Sequence, residues 1–190
     1  CDSSMPCTGF GKQTFTVRFA SDDPMKGVYL VTDRAMCGER GLAAVVKAAA
    51  SAGVSAVQLR EKHATTRAFL KAAEEMKALL SPHGIPLIIN DRVDVALAAG
   101  ADGVHVGQSD LPAAVVRRLL GPDAIVGLSV ETWADVVAAE DLDVTYLGVS
   151  PVYETPTKTD IAPALGLEGS ITAFYGNPRQ YWLDVQYRWF

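Results

Sequence analysis

Five short apolar runs in this chain each end in a burst of polar residues. They are Val57-Gln58-Leu59-Arg60-Glu61-Lys62, Leu87-Ile88-Ile89-Asn90-Asp91, Val104-His105-Val106-Gly107-Gln108-Ser109-Asp110, Ile125-Val126-Gly127-Leu128-Ser129 and Tyr146-Leu147-Gly148-Val149-Ser150-Pro151. Runs this short, without apolar/polar alternation, read as parallel strands covered on both faces. Between them lie stretches of Ala, Val and good helix formers closed by glycine: residues 41–52 before Gly53, 95–99 before Gly100 and, more loosely, 134–139. A longer helix is expected over residues 66–80, closed by Pro82 and Gly84, and a shorter one over 111–120, where Pro112 suits a first helical turn.

With Val28-Tyr29-Leu30-Val31-Thr32-Asp33 as a first strand, helix and strand alternate at roughly 20 to 30 residues per unit, the βα repeat of an α/β protein. The expected fold is a (β/α)8 TIM barrel, in which strand ends at the C-terminal face converge on the active site. Polar groups gathered at that edge, strand after strand, are not explained by packing, so the chain reads as an enzyme. About six strands are legible up to Pro151, so the barrel is expected to be truncated after about six βα units. Residues 171–190 are aromatic-rich, lack a small-residue helix, and read as an atypical tail. Residues 1–24, rich in Ser, Asp, Gly and Pro, read as a disordered extension, with a natural-looking start at Met25 and the barrel domain over 25–170.

At 190 residues the chain holds one sizeable core. A net charge of -5 gives no support for a nucleic-acid surface, and no apolar stretch approaches the ~18 to 20 residues of a membrane helix. Three cysteines, Cys1, Cys7 and Cys37, without metal-ligand spacing, point to free thiols in a reducing, cytoplasmic setting.

Asn90-Asp91 and Ser109-Asp110 end consecutive strand segments. Neighbouring strands lie about 5 Å apart, so Asp91 and Asp110 could share one divalent cation, and magnesium suits two carboxylates plus phosphate oxygens and waters. Each aspartate could equally cap the helix that follows. Gln58, Arg60 and Lys62 alternate along the end of one strand and so point the same way, with a guanidinium fork and a mobile ammonium for phosphate oxygens. A plain solvated strand end is the alternative. Glu61 faces the opposite side and is expected to pair with a surface cation. Lys158 follows the Thr155-Pro156-Thr157 turn, which reads as an oxyanion site or as an ordinary turn. Ser129 has no partners at triad spacing and reads as a hydrogen-bond donor, not a nucleophile. His105, mid-strand in an apolar run, reads as a packed core histidine; His63 and His83 read as surface or turn residues. Two acids and three cations on one rim describe a magnesium-pyrophosphate site.

These motifs resemble thiamine-phosphate synthase. Val31-Thr32-Asp33-Arg34, Val57 through Lys62, Ile89-Asn90-Asp91-Arg92, Gly103 through Asp110, Gly127-Leu128-Ser129, Thr155-Pro156-Thr157-Lys158 and Leu165-Gly166-Leu167 follow in unbroken order over residues 25–169. The resemblance implies a transferase of thiamine biosynthesis that joins a hydroxymethylpyrimidine diphosphate to a thiazole phosphate carboxylate, releasing pyrophosphate and carbon dioxide. It implies a pyrimidine-diphosphate site from Gln58, Leu59, Arg60, Glu61, Lys62, Asn90, Ser129 and Lys158. Asp91 and Asp110 become magnesium ligands, and Thr155, Pro156 and Thr157 part of the thiazole-phosphate site. Arg60, Lys62 and Lys158 are the residues expected to stabilise departing pyrophosphate. The family's Gly-Gly-Ile turn and Val-Ser segment do not occur after Ser170, so the chain is expected to be weakly stable or inactive alone, or to need a second copy as homo-oligomeric partner. The rival readings are a thiazole tautomerase on the same barrel and a non-catalytic homologue that only binds the pyrimidine diphosphate.

Overall fold

The computed structural model describes residues 27–149, which form six parallel strands alternating with helices. The strands are β1 (Tyr29–Val31), β2 (Ala56–Leu59), β3 (Leu87–Asn90), β4 (Gly103–Val106), β5 (Ile125–Val130) and β6 (Tyr146–Val149). They pair in sequential order, each with the next. The main helices are α1 (Arg34–Cys37), α2 (Leu42–Ser51), α3 (Thr66–Leu80), α4 (Val93–Ala99), α5 (Ala113–Leu120) and α6 (Trp133–Ala138). The expected extension at 1–24, the tail at 171–190 and the truncation after six units fall on residues outside those described.

Helix ends follow local chemistry. The Thr65 side chain accepts from Ala68 N–H to open α3, and Thr132 with Asp135 forms a reciprocal capping box at α6. Gly84 and Gly100, both left-handed, end the 3-10 turn after α3 and helix α4. The expected helix at 66–80 matches α3 end to end. Pro112 is the N-cap of α5 and not part of its first turn.

The sheet is curled. Laid flat, six strands would separate β1 from β6 by roughly 24 Å, five spacings of about 4.8 Å. Yet the Tyr29 and Tyr146 hydroxyls, on those two outermost strands, are 2.7 Å apart, with their rings edge to face at 5.7 Å. Inside the curl, Ala56, Ile88, Ile125 and Tyr146 pack together with Tyr29 against them. These residues sit on different hydrogen-bonded rows, since Ile88 and Ile125 align through Gly103 whereas Tyr146 aligns with Gly127. The strands are therefore tilted and staggered, as in a closing barrel.

The outer core lies between sheet and helices: Val57, Leu59, Leu87, Ile89, Val104, Val106, Val126 and Leu128 meet Val46, Phe69, Ala73, Met76 and Val116. This corrects one sequence expectation. The strands do alternate, with apolar residues facing the helices and Gln58, His105, Ser129 and glycines on the other parity. Because β2 and β4 are buried throughout and β3 and β5 at all but one residue, the alternation there is one of size and hydrogen-bonding capacity and not of exposure.

At the N-terminal edge, Lys77 pairs with Asp102 at 2.7 Å, and Asp102 also accepts from Leu87 N–H. Arg117 donates to the carbonyls of Gly121, Pro122, Ala124 and Asp143. That edge is stitched together by internally satisfied charges.

Candidate active site

The opposite edge gathers the sequence-predicted groups. Asn90 ends β3, and Asp91 follows with a φ of 64°, the one non-glycine residue with positive φ among those described. Arg92 N–H donates across it to Asn90 C=O at 2.8 Å, a three-residue turn of the rarer, strained hand. Aspartate tolerates this region better than most residues, and strain of this kind concentrates at functional positions. Asp91 N–H reaches the His105 carbonyl at 2.8 Å, which ties the turn to β4.

Asp110 arrives from the loop after β4. One of its carboxylate oxygens accepts from Gly107 N–H at 2.8 Å, folding the loop back so that its carboxyl meets that of Asp91. The Asp91 carboxyl is pushed up to about 6, first by burial, then by the Asp110 charge and the hydrogen bond between the two. Lys62 and Asn90 act in the opposite sense, Lys62 through its charge and Asn90 through a side-chain hydrogen bond.

Neither aspartate caps the helix that follows. The N-caps of α4 and α5 are Arg92 and Pro112, and neither makes a side-chain cap hydrogen bond. What the two carboxyls present together is a set of oxygen donors. Its chemistry suits magnesium, which keeps several waters and takes few protein carboxylates. Among the described residues no cluster of three or more His, Cys, Asp or Glu groups could hold a metal, so a cation here would draw its remaining ligands from water and substrate.

On β2, Gln58 is buried, and Arg60, half-buried, donates its backbone N–H to the Thr32 hydroxyl, which anchors the rim to β1. Leu59 points into the helix-side core and offers a ligand its backbone alone. Glu61 is held by Arg34, the surface cation expected for it, through contacts of 2.7, 2.9 and 3.0 Å. His63 and His83 are exposed. Lys158, Thr155, Pro156 and Thr157 lie outside the described residues.

His105 is buried, as expected, but it is not merely packed. Its Nε2 lies 2.8 Å from Ser129 Oγ and its Nδ1 2.9 Å from the Tyr146 hydroxyl. The chain of contacts continues from Tyr146 to Tyr29 and ends at Gln58 Nε2, 2.7 Å from the Tyr29 hydroxyl. Sequence reasoning missed the two tyrosines. Their signal was present in the parity of the strands, where Gly127 and Gly148 occupy inward positions beside His105 and Tyr146.

Comparison with known proteins identifies the family. Residues 28–174 match the family model for thiamine monophosphate synthase. The thiamine-phosphate synthase of Albidiferax ferrireducens is 60% identical over 142 residues, covering 75% of this chain and 65% of that protein. The thiamine-phosphate synthase of Leptospira biflexa is 56% identical over 149 residues, with 76% and 71% covered. This chain thus spans about two thirds of the length of these relatives. Among solved structures, thiamine phosphate pyrophosphorylase from Pyrococcus furiosus superposes with a TM-score of 0.66 at 33% identity, covering 77% of this chain and 68% of that one.

Proposed function

Because the chain belongs to the thiamine monophosphate synthase family, we propose that it couples hydroxymethylpyrimidine diphosphate to a thiazole phosphate carboxylate, releasing pyrophosphate and carbon dioxide. The observation that carries this reading is the meeting of Asp91 and Asp110 beside Lys62 at the C-terminal edge of β2–β4. A rim of this composition fits a diphosphate leaving group. The tautomerase alternative is not favoured, since the relatives described above bear the synthase name.

In the proposed reaction, Asp91 and Asp110 would hold magnesium, which supplies charge neutralisation for a diphosphate leaving group when bound. Arg60 and Lys62 offer a planar fork and a point charge to phosphoryl oxygens, and Lys158 would add a third cation. Asn90 and Ser129 orient the pyrimidine-bearing substrate, and Thr155, Pro156 and Thr157 receive the thiazole phosphate. Holding both reactants in line removes much of the entropic barrier to their joining. The complete fold would be the (β/α)8 barrel, with residues 25–170 as the barrel domain, acting on small molecules in the cytoplasm.

The purified chain is assayed with both substrates and magnesium for thiamine phosphate and pyrophosphate. Turnover that falls at least about a hundredfold in Arg60→Ala supports the reading. Tight binding of the pyrimidine diphosphate with no turnover would point instead to the non-catalytic homologue.

A further inference from the structure

The inside of the curled sheet holds a continuous file of polar groups of which only the two ends, Gln58 and Ser129, belong to the expected pyrimidine site. Gln58, Tyr29, Tyr146, His105 and Ser129 come from β2, β1, β6, β4 and β5, and consecutive members lie 2.7 to 2.9 Å apart. Gln58, His105 and Tyr146 are buried. Two glycines make room for the file: a Cβ at Gly127 would fall on the Tyr146 ring and on His105 Nδ1, and one at Gly148 would lie 3.0 Å from His105 Cε1. Burial pushes the Tyr29 phenol up to about 12 and the Tyr146 phenol well above its ordinary value, so each keeps one proton to donate.

Proton counting then gives the file a direction. Gln58 Nε2 has no lone pair to offer, so it donates and the Tyr29 oxygen accepts. The Tyr29 proton passes its hydrogen bond to the Tyr146 oxygen, and the Tyr146 proton to His105 Nδ1. A neutral imidazole accepting at Nδ1 carries its hydrogen on Nε2, and it donates that hydrogen to Ser129 Oγ. The Ser129 hydroxyl, satisfied as an acceptor from below, has its own proton left to give at the half-exposed rim. Gln108 Nε2 holds the Ser129 carbonyl from the side at 2.6 Å.

We propose that Gln58, Tyr29, Tyr146 and His105 form a one-way hydrogen-bond chain that fixes the Nε2–H tautomer of His105 and so commits Ser129 to donate its hydroxyl proton to an acceptor atom of the bound substrate. Tyr29, Tyr146 and His105 are thereby positioning residues, and Ser129 is the contact. This deepens the proposed function and rests on it for the identity of the substrate. The direction of the chain stands independently, because it is a property of the free protein.

The test is nitrogen-15 NMR of the imidazoles in the ligand-free chain. The sequence contains three histidines, and the His105 signals are assigned by their loss in His105→Gln. The expected result is a protonated Nε2 and a bare Nδ1, with that preference lost in Tyr146→Phe and weakened in Tyr29→Phe, both of which keep the ring. A protonated Nδ1 in the wild-type chain reverses every hydrogen bond in the file and overturns the proposal, as does an even mixture of tautomers. Kinetics supply the second arm. Tyr146→Phe should lower kcat/KM about tenfold, and Tyr146→Phe combined with Ser129→Ala should lose no more than Ser129→Ala alone. Additive losses would show that Tyr146 does not act through Ser129. Absence of synthase activity with the Nε2–H tautomer intact would sink the functional reading and leave the chain of hydrogen bonds standing.

Discussion

Asp91 carries two destabilising features at one position, a left-handed backbone and a carboxyl that ionises reluctantly. Its pKa of about 6 in the fold stands above the ordinary 3.8, so the folded protein binds that proton more tightly than the unfolded chain. The stabilisation from holding the proton is fully present below the unfolded value and is lost as pH rises through the folded one. At neutral pH the fold therefore bears an ionised Asp91 carboxylate against Asp110. Asp91→Asn, which also suits a positive φ, should raise the stability of the metal-free chain at pH 7 by about 1 kcal/mol, after allowing for solvent screening of a half-buried group. It should also flatten the dependence of urea midpoints on pH between about 4 and 6. A lower midpoint for the variant at pH 7 would show that the carboxylate is stabilised by a partner. The residues at this rim were readable in the sequence, because Asn90-Asp91 and Arg60-Glu61-Lys62 interrupt apolar runs where packing alone has no use for them. Tyr29, Tyr146 and the satisfied role of His105 were not, because their partners lie on strands brought together by curvature alone.

Among the elements, the two edges of the sheet do different work. The N-terminal edge is fastened by Lys77–Asp102 and by Arg117 on four carbonyls, whereas the C-terminal edge brings the Asp91 and Asp110 carboxyls against each other. Asp102→Ala removes the partner of Lys77 and strands the Leu87 N–H, so stability should fall by about 1 to 2 kcal/mol in urea titration. The kcat/KM should stay within about twofold of wild type, since no rim group touches Asp102. A matching loss of turnover would mean that the two edges are coupled through β3. Helix α3 was legible to the residue because its amphipathic period, its threonine cap and the Pro82-Gly84 stop agree. Helix α1 was missed because four residues show no period, and what forms it is the Asp33 side chain accepting from Met36 N–H.

For the molecule as a whole, six parallel strands in sequential order put every βα loop on one rim. Alternation of strand and helix was enough to predict that arrangement; the degree of curl was not, since it follows from stagger and interior side-chain size. Among the described residues no helix is long and apolar enough to cross a membrane. A ligand that bridges the rim should stabilise the entire unit by mass action. Magnesium with pyrophosphate, added near a hundred times its dissociation constant, should raise the melting temperature by several degrees at pH 7.5. Asp110→Asn should abolish the increment, and an unchanged rise in that variant would place the ion elsewhere.

The meeting of Tyr29 with Tyr146 spans 117 positions of chain, whereas each strand pair along the sheet joins neighbours in sequence. Loop-closure entropy makes this contact the most expensive to reach early, so it belongs to the native side of the folding barrier. Tyr29→Phe should then speed unfolding and leave the refolding limb of a chevron almost unmoved, the behaviour of a latch that snaps shut after assembly is complete.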